Sequence, residues 1–230
     1  PWEEIIKIAC EESVQGVLFH RVKGRYPPET LNRRLERAAY AAAVANIFRL
    51  QVLEDIDRHL SEAGLRVLVI KGALLLQTVY ADAGMRPMED IDLLVRPGNE
   101  PEVCRVLLQA GFEPDVQFGH MWRKNGILLD LHADALHNDR MPARKRLFPV
   151  DLWAGAAPLK GFSAIWQPDA SDHLLFLSHH LVKHSFSKLI WLVDIRCILK
   201  QADENGWRDL GRKITDLNQA RPMAYVFYLL

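Results

Sequence analysis

The sequence predicts an α+β fold in which a small mixed β-sheet is flanked by N-terminal helices and a C-terminal helical region. Apolar residues recur at three- and four-residue steps from about residue 30 to residue 63, which is typical of a long amphipathic helix. Short apolar runs typical of strands follow between residues 65 and 132, and helical periodicity returns after residue 169. The expected divisions are a helical region over 1–63, an α/β core over 64–135 and a mainly helical region over 136–230.

The composition limits the possible functions and locations. The 230 residues include 29 basic and 29 acidic side chains, so the formal net charge is zero and argues against general nucleic-acid binding. Apolar runs stay shorter than the roughly 20 residues that span a bilayer, so we expect no membrane partner. Cys10, Cys104 and Cys197 lie far apart in helical patterns, which predicts buried free thiols in a reducing cytoplasm. The chain begins without methionine and stops inside an apolar helical stretch, so the last helix is expected to be incomplete.

The segments around the first predicted strand are well marked. Short amphipathic helices over residues 1 to 24 end at a Tyr-Pro-Pro sequence, and a long helix then runs from about Thr30 to Ala63. The run Leu65–Ile70 is almost continuously apolar, which indicates a central strand covered on both faces. A Lys-Gly turn at Lys71 and Gly72 leads into a helix from about residue 73 to residue 80.

The next strand carries a pair of acidic residues. Side chains alternate between the two faces of a strand, so Asp90 and Asp92 point the same way while Ile91 points into the opposite layer. Adjacent carboxylates repel one another unless a cation lies between them, and Mg²⁺ is the usual cation for oxygen ligands. This pattern predicts a metal site for phosphate chemistry, the alternative being a strand end that is solvated by water.

A β-hairpin follows, centred on Asn125-Gly126, the strongest two-residue turn signal in the sequence. Counting outward from the turn pairs Arg123 with Leu128 and Met121 with Asp130. A lone aspartate on an inner strand is costly to bury, so Asp130 is expected to join Asp90 and Asp92 as a third carboxylate around the metal. The alternative is a salt bridge from Asp130 to Arg123 or to another cation.

The last third of the chain is predicted to be mainly helical. A polar passage from residue 135 to about residue 146 indicates a linker, and Phe162–Gln167 is a candidate strand. Asp169 is expected to cap a helix. A further helix over about Ser187–Ala202 is expected to end at Asn205-Gly206.

Histidines on these helices suggest a second type of site. His180 and His184 are four residues apart and share a helix face, which is the spacing of zinc ligands, but the sequence lacks the glutamate of the His-Glu-x-x-His motif. Lining an acceptor pocket together with His132, or packing against Asp194, are the other roles expected for them.

Taken together, the residues of the α/β core resemble the DNA polymerase beta-like nucleotidyltransferase superfamily, and more closely its group of uncharacterised bacterial nucleotidyltransferases. The resemblance covers about Val67 to His132 and extends loosely to the helices that carry His180, His184 and Trp191. The matching residues are Lys71-Gly72-Ala73-Leu74-Leu75, Tyr80, Arg86, Asp90-Ile91-Asp92-Leu93-Leu94-Val95 and Asp130-Leu131-His132.

The resemblance implies a mechanism. Asp90 and Asp92 would hold two Mg²⁺ ions that bridge the triphosphate of a nucleoside triphosphate (NTP), with ATP as one candidate. Asp130 would complete the second metal site and help to deprotonate an acceptor hydroxyl. In-line attack on the α-phosphorus would then release pyrophosphate.

One departure from the superfamily concerns the phosphate-binding turn. The superfamily places Gly-Ser after the first strand, whereas this sequence has Lys71-Gly72. Lysine can meet phosphate as a point charge and glycine permits close backbone approach, so Lys71, Gly72 and Arg86 are the predicted phosphate-binding residues. Alternatively, Lys71 reaches solvent, and Arg86 pins its loop to Glu89 or Asp90.

Three functions are therefore compared. The first is a Mg²⁺-dependent nucleotidyltransferase that acts on a small-molecule or protein hydroxyl. The second is a catalytically inactive nucleotidyltransferase-fold module that binds nucleotide or a partner protein, as antitoxin-like members do. The third is a metallohydrolase centred on the C-terminal histidines. The first requires Asp90, Asp92 and Asp130 to converge, and a basic side chain permanently placed among them would favour the second.

Overall fold

The computed structural model describes residues 2–26, 28–136 and 150–230. The predicted linker over residues 135 to 146 lies mostly outside this range. The described helices are α1 (Trp2–Glu11), α2 (Gln15–Val22), α3 (Glu29–Glu62), α4 (Lys71–Thr78), α5 (Glu100–Gln109), α6 (Ala170–Lys183), α7 (Leu189–Gln201), α8 (Glu204–Asp216) and α9 (Ala220–Leu229). The strands are β1 (Val67–Ile70), β2 (Asp90–Val95), β3 (Glu113–Pro114), β4 (Met121–Lys124), β5 (Ile127–His132), β6 (Ala157–Pro158) and β7 (Ile165–Gln167).

The strands form a mixed sheet with the order β3-β4-β5-β2-β1-β7-β6. Strand β2 is parallel to β5 and antiparallel to β1, and β1 is parallel to β7. All four residues of β1 are fully buried, as the apolar run predicts. The hairpin pairs Met121 with Asp130 and Arg123 with Leu128, as counted from the Asn-Gly turn. The predicted α+β fold class is confirmed.

Helix α3 connects the two hydrophobic clusters of the described chain. Its 34 residues give it a length of about 50 Å. Near its start, Leu31 and Leu35 pack in a small cluster with α1 and α2. Near its end, Leu53, Ile56 and Leu60 are buried against the sheet in the main core. The amphipathic period read from the sequence therefore serves two packing surfaces on one helix.

Polar side chains of α3 also fix two irregular segments. The amide of Asn46 donates to the carbonyl oxygens of Ala83 (2.7 Å) and Arg86 (2.8 Å) in the loop before β2. The buried carboxylate of Asp57 accepts backbone N–H bonds at the entry to β7, including those of Ala164 (2.7 Å) and Ile165 (2.8 Å). One segment leads into β2 and the other into β7, so α3 fixes the backbone at the start of two strands of the sheet.

The loop before β2 is also held by close backbone approach. A Cβ atom added at Gly16 of α2 would overlap the carbonyl oxygens of Gly84 and Met85. A Cβ atom added at Gly84 would in turn meet the carbonyl oxygen of Ala39 of α3. Helices α2 and α3 therefore enclose this loop through glycine contacts that leave no space for a side chain.

Two sequence-based expectations are wrong in detail. Asn205-Gly206 does not end a helix but lies in the first turn of α8, because the side chain of Asp203 accepts the N–H of Gly206 and starts a new helix there. The cysteines are free thiols as expected, but Cys10 is exposed and the other two are only partly buried. The predicted cap at Asp169 is confirmed by hydrogen bonds from the N–H groups of Ser171 and Asp172.

In the described part of the chain, no helix combines the length and the apolar character that crossing a membrane requires.

Candidate active site

Parallel pairing of β2 and β5 brings two aspartates side by side. Asp92 lies directly opposite Asp130 in the register, and Asp90, two residues earlier on β2, lies opposite Leu128. Asp92 and Asp130 are buried and Asp90 is half-buried. Of the alternatives for Asp130, the salt bridge to Arg123 is not seen in the described structure, since Arg123 binds Asp115 at 2.9 Å.

Two basic side chains lie among these carboxylates. The Nζ atom of Lys71 donates to Oδ1 of Asp92 at 2.6 Å. The Nε2 atom of His132 lies 2.9 Å from Oδ1 of Asp92 and 3.0 Å from Oδ2 of Asp130. The premise that only divalent cations could balance these carboxylates is therefore wrong, because the chain places an ammonium group and an imidazole there.

The pKa values of Asp90 and Asp92 are shifted in opposite directions. Burial alone would raise the pKa of Asp92, but Lys71 and the hydrogen bond from His132 hold that pKa at about 2. Burial and the neighbouring Asp92 raise the pKa of Asp90 to about 6. Burial opposes protonation of Lys71 and His132, yet the carboxylates beside them raise the pKa of both. Asp92 is thus a fixed negative charge, while Asp90 is the more readily protonated carboxylate.

The turn after β1 is held by a histidine from α6. Lys71 has a positive φ of 52°, an uncommon value for a residue with a side chain. Its backbone N–H donates to Nε2 of His173 at 3.2 Å. Burial, followed by the charge of Arg86, lowers the pKa of His173 to about 3, so its imidazole is neutral and can accept this bond. The side chain of Lys71 is only 18% exposed, so it does not simply reach into solvent.

Arg86 forms a buried ion pair that links the loop before β2 to α7. Its Nε and Nη2 atoms each donate to Asp194 at 2.9 Å, and Asp194 also accepts the hydroxyl of Tyr80 at 2.6 Å. Arg86 therefore binds Asp194 rather than Glu89 or Asp90, and Asp194 is not the partner of the two C-terminal histidines. Burial and Asp194 raise the pKa of Tyr80, and Asp194 raises that of Arg86 despite its burial.

Gly72 is needed for this arrangement. A Cβ atom at Gly72 would lie 2.6 Å from Nη1 of Arg86 and 3.1 Å from the side chain of Met88. The close approach that the sequence predicted at this glycine is therefore made by the arginine of the same chain.

Asp90 and Asp92 open into a cleft of about 220 Å³ between the loop before β2 and helices α6 and α7. Lys71, Gly72, Arg86, Asp90, Asp92 and His180 are among its lining residues. His180 is buried, and burial together with Lys71 and His184 lowers its pKa to about 2. His184 is exposed, with its ring centroid 4.5 Å from that of His180. His132 lies within the acidic group, where it is fully buried, rather than in a pocket wall.

The donor set at the carboxylates fits a divalent cation. Among residues 2–26, 28–136 and 150–230, the one group of three possible ligands that converges is Asp92, Asp130 and His132, whose ligand atoms lie within 4.8 Å of one another. The two carboxylates suit Mg²⁺ or Mn²⁺, whereas the imidazole is a ligand that transition metals prefer. His180 and His184 belong to no such group within those residues.

Comparison with known proteins identifies the family of the chain. A family described as "Uncharacterised nucleotidyltransferase" matches residues 1–230, the whole chain. The chain belongs to this family. The resemblance read from the sequence is thereby confirmed, and the protein is a nucleotidyltransferase by family. No curated protein sequence matches it significantly.

Solved structures show more distant similarity to this nucleotidyltransferase. ANT(2")-Ia in complex with adenylyl-2"-tobramycin is 14% identical, covers 77% of this chain and 99% of its own, and has a TM-score of 0.45. An antigenic nucleotidyltransferase-like protein from Paracoccidioides brasiliensis is 17% identical, covers 75% of this chain and 91% of its own, and has a TM-score of 0.43.

Some residues of the nucleotidyltransferase site were not predicted from the sequence. His173, which holds the Lys71 turn, carries no motif that marks it. His120 lies with Nε2 3.8 Å from Oδ1 of Asp130 and enters through the hairpin, one residue before β4. The sequence offered one signal for His120: it directly precedes Met121, the residue that the predicted hairpin pairs with Asp130.

Proposed function

We propose that the protein is a Mg²⁺-dependent nucleotidyltransferase that transfers a nucleoside monophosphate from an NTP to a hydroxyl group of a small molecule or a protein. The observation that carries this proposal is the register of β2 and β5, which sets Asp92 opposite Asp130 with Asp90 two residues away. We place the protein in the cytoplasm, acting on free nucleotide rather than as a general nucleic-acid binder, and apart from membranes.

Each acidic residue has a role in the proposed reaction. Asp90, Asp92 and Asp130 hold the cations, two ions being the expected number, and His132 orients two of these carboxylates. Bound Mg²⁺ supplies charge neutralisation on the triphosphate and the leaving group. Asp130 accepts the proton of the acceptor hydroxyl, whose oxygen bonds to the α-phosphorus. The bond from the α-phosphorus to the bridging oxygen breaks, and pyrophosphate leaves with that electron pair.

The three predicted phosphate-binding residues are not equally able to contact phosphate. Lys71 faces the cleft and can bind phosphate once cations replace it at Asp92. Gly72 beside it packs against Arg86 and Met88, so it supports the turn more than it opens space for phosphate. Arg86 presents only its Nη1 edge, because Nε and Nη2 are bound to Asp194, and Nη1 already donates to the carbonyl oxygen of Pro87 at 3.2 Å. We therefore propose Lys71 as the main phosphate contact and Arg86 as a secondary one.

Calorimetric titration with each NTP, with and without Mg²⁺, tests this function. We expect binding that requires Mg²⁺ and that falls at least roughly tenfold in Asp92→Asn, since an amide is a much weaker ligand for a hard cation. Asp134→Asn is the matched control: Asp134 lies just beyond β5, and its Oδ1 accepts the N–H of Leu136, which an amide oxygen can also do. Equal NTP binding with and without Mg²⁺, or equal loss in both variants, would contradict the proposal.

The second candidate function is a catalytically inactive binding module with this fold. The contact between Lys71 and Asp92 favours it, because the lysine already balances the charge that a cation would balance. This candidate predicts nucleotide or partner binding that is independent of Mg²⁺, with no pyrophosphate release. An assay of pyrophosphate release over a panel of hydroxyl acceptors separates it from the first function.

A further inference from the structure

The cleft extends beyond the carboxylates into a part that the metal site does not use. One wall of this part is formed by Ile190 and Trp191 of α7, and another by Pro87 and Met88 of the loop before β2. Ile190 and Met88 are buried, and Trp191 is half-buried. These four side chains make part of the lining apolar and aromatic, and Ser13, Glu89 and Lys188 add polar groups to the rest.

His180 connects the two ends of the cleft. It lines the same cleft as Lys71 and Asp92, and its ring centroid lies 4.7 Å from that of Trp191. Trp191 thus faces the same cleft as the Lys71–Asp92 pair. A group bound against Trp191 and a phosphate bound at Lys71 can belong to one ligand.

Two imidazoles contact Trp191 without stacking on it. The plane of His180 is at 82° to that of Trp191, and the plane of His184 is at 56°, with centroids 5.4 Å apart. Neither imidazole is parallel to the indole, and Trp191 is only half-buried, so part of its surface stays open to the cleft. A flat aromatic ligand can stack against a tryptophan face at a cost of little rearrangement.

The size of the cleft limits how much of an NTP it can enclose. Its volume of about 220 Å³ is below the roughly 300–1,000 Å³ of pockets that enclose a whole drug-sized ligand. A nucleotide that contacts both Lys71 and Trp191 in this cleft therefore leaves part of its surface open to solvent. A nucleobase is the apolar, flat portion that matches this end.

We propose that Trp191 is the stacking platform for the base of the NTP, with Ile190 and Met88 completing an apolar slot. This inference rests on the proposed function and assigns the nucleoside end of the same site. Stacking on an aromatic side chain depends little on base identity, because every base has a π-face. The platform therefore supplies affinity without strong selection between bases.

The test compares two ligands that share a triphosphate but differ in the base. The dissociation constants of ATP and of inorganic tripolyphosphate are measured with Mg²⁺ by calorimetry. In Trp191→Leu, which keeps apolar bulk but has no ring, we expect ATP binding to weaken roughly tenfold and tripolyphosphate binding to stay unchanged. Trp191→Phe retains a ring and is expected to restore most of the ATP affinity. Trp207→Leu, on exposed α8, is the matched control, and thermal melting verifies that each variant is folded.

Each other outcome overturns the inference in a recognisable way. Equal weakening of both ligands in Trp191→Leu would mean that the tryptophan only supports the fold of the cleft. A wild-type protein that binds ATP no more tightly than tripolyphosphate would exclude a base platform while leaving phosphate binding intact. A wild-type protein that binds neither ligand would overturn the stacking role and the proposed function together.

Discussion

At the scale of single residues, Lys71 carries the most information about the site. Its ammonium group lies 2.6 Å from Asp92, at the position where a cation bound by that carboxylate would repel it. Metal binding therefore requires the lysine to move, and the proposed phosphate contact gives the displaced ammonium group a new anionic partner. Competition between lysine and metal follows directly from these charges.

Substitution of this lysine by Lys71→Met should tighten Mn²⁺ binding by roughly tenfold. Mn²⁺ carries two charges, so it and an ammonium group about 4 Å apart repel by about 2 to 8 kcal/mol between the dielectric of water and that near a protein surface, and movement of the lysine relieves part of this repulsion. The same variant should bind tripolyphosphate more weakly. Calorimetry with Mn²⁺ alone measures the first effect, and Lys160→Met, an exposed lysine, is the control. Unchanged Mn²⁺ affinity in Lys71→Met would show that the lysine does not compete.

His173 makes stability depend on pH. Its folded pKa of about 3 lies below the ordinary value of about 6.5, so the unfolded chain binds a proton that the folded chain does not. Above pH 6.5 this histidine makes the stability no more dependent on pH. Below pH 6.5 it lowers the free energy of unfolding by about 1.4 kcal/mol per pH unit. Urea unfolding at pH 7 and pH 5 should therefore show a loss that is roughly 2 kcal/mol smaller in His173→Gln than in the wild type. An equal loss in both proteins would mean that His173 is protonated in the folded state.

The residue-level predictions from sequence succeeded where local rules decide. Strand alternation placed Asp90 and Asp92 on one face, and the Asn-Gly turn fixed the register of Asp130. The partners of Lys71 and Arg86 were not predictable in the same way. His173 is 102 residues from Lys71, and Asp194 is 108 residues from Arg86, so only the packing of α6 and α7 against the sheet brings them together.

At the scale of secondary-structure elements, the carboxylate of Asp57 joins α3 to the start of β7. It accepts the N–H groups of Ser163, Ala164 and Ile165, which precede or begin that strand. These donors are mostly buried, so the carboxylate replaces the water that would otherwise solvate them. The attachment of β7 beside β1 thus depends on one side chain from a distant helix.

Asp57→Ala should lower the free energy of unfolding by about 3 kcal/mol, because it leaves buried N–H groups unpaired. Urea unfolding measures this loss. The control is Asp55→Ala on the same helix, which removes a partly exposed pair with Arg58 and should cost no more than about 1 kcal/mol. Similar losses in the two variants would show that the Asp57 contacts contribute little.

Element boundaries show where sequence rules compete. Asn205-Gly206 is typical of a turn, yet Asp203 two residues earlier is a better helix start, and capping prevails. The two-residue strands β3 and β6 were not predicted, since pairs such as Glu113-Pro114 and Ala157-Pro158 carry no periodic signal. They form because neighbouring strands offer them a pairing edge.

At the scale of the whole molecule, the pair of Arg86 and Asp194 ties the sheet to the C-terminal helices. It lies beside the Lys71–Gly72 turn, and its members come from the loop before β2 and from α7. Strands β6 and β7, from the region after residue 136, join the same sheet as β1. The division at residues 63 and 135 stays a prediction, and the site itself draws on parts of all three regions.

Breaking this buried ion pair should destabilise the protein strongly. Arg86→Met or Asp194→Leu alone should cost about 3 to 5 kcal/mol, because each leaves its partner charged and buried. The double variant should cost less than the sum of the two, since no unpaired charge remains. Thermal and urea unfolding of the four proteins form the double-mutant cycle. Strict additivity would mean that the two side chains do not act as a pair.

The glycine contact between α2 and the loop before β2 gives the first two helices a part in catalysis from a distance. Gly16 lies against the carbonyl groups of Gly84 and Met85, immediately before Arg86. A chain that started at residue 24 would retain every acidic ligand, yet it would uncover those carbonyl groups and release the backbone that presents the arginine. Loss of activity in such a shortened protein would therefore reflect an unsupported loop, and a separately added peptide of residues 1–23 would be expected to restore it.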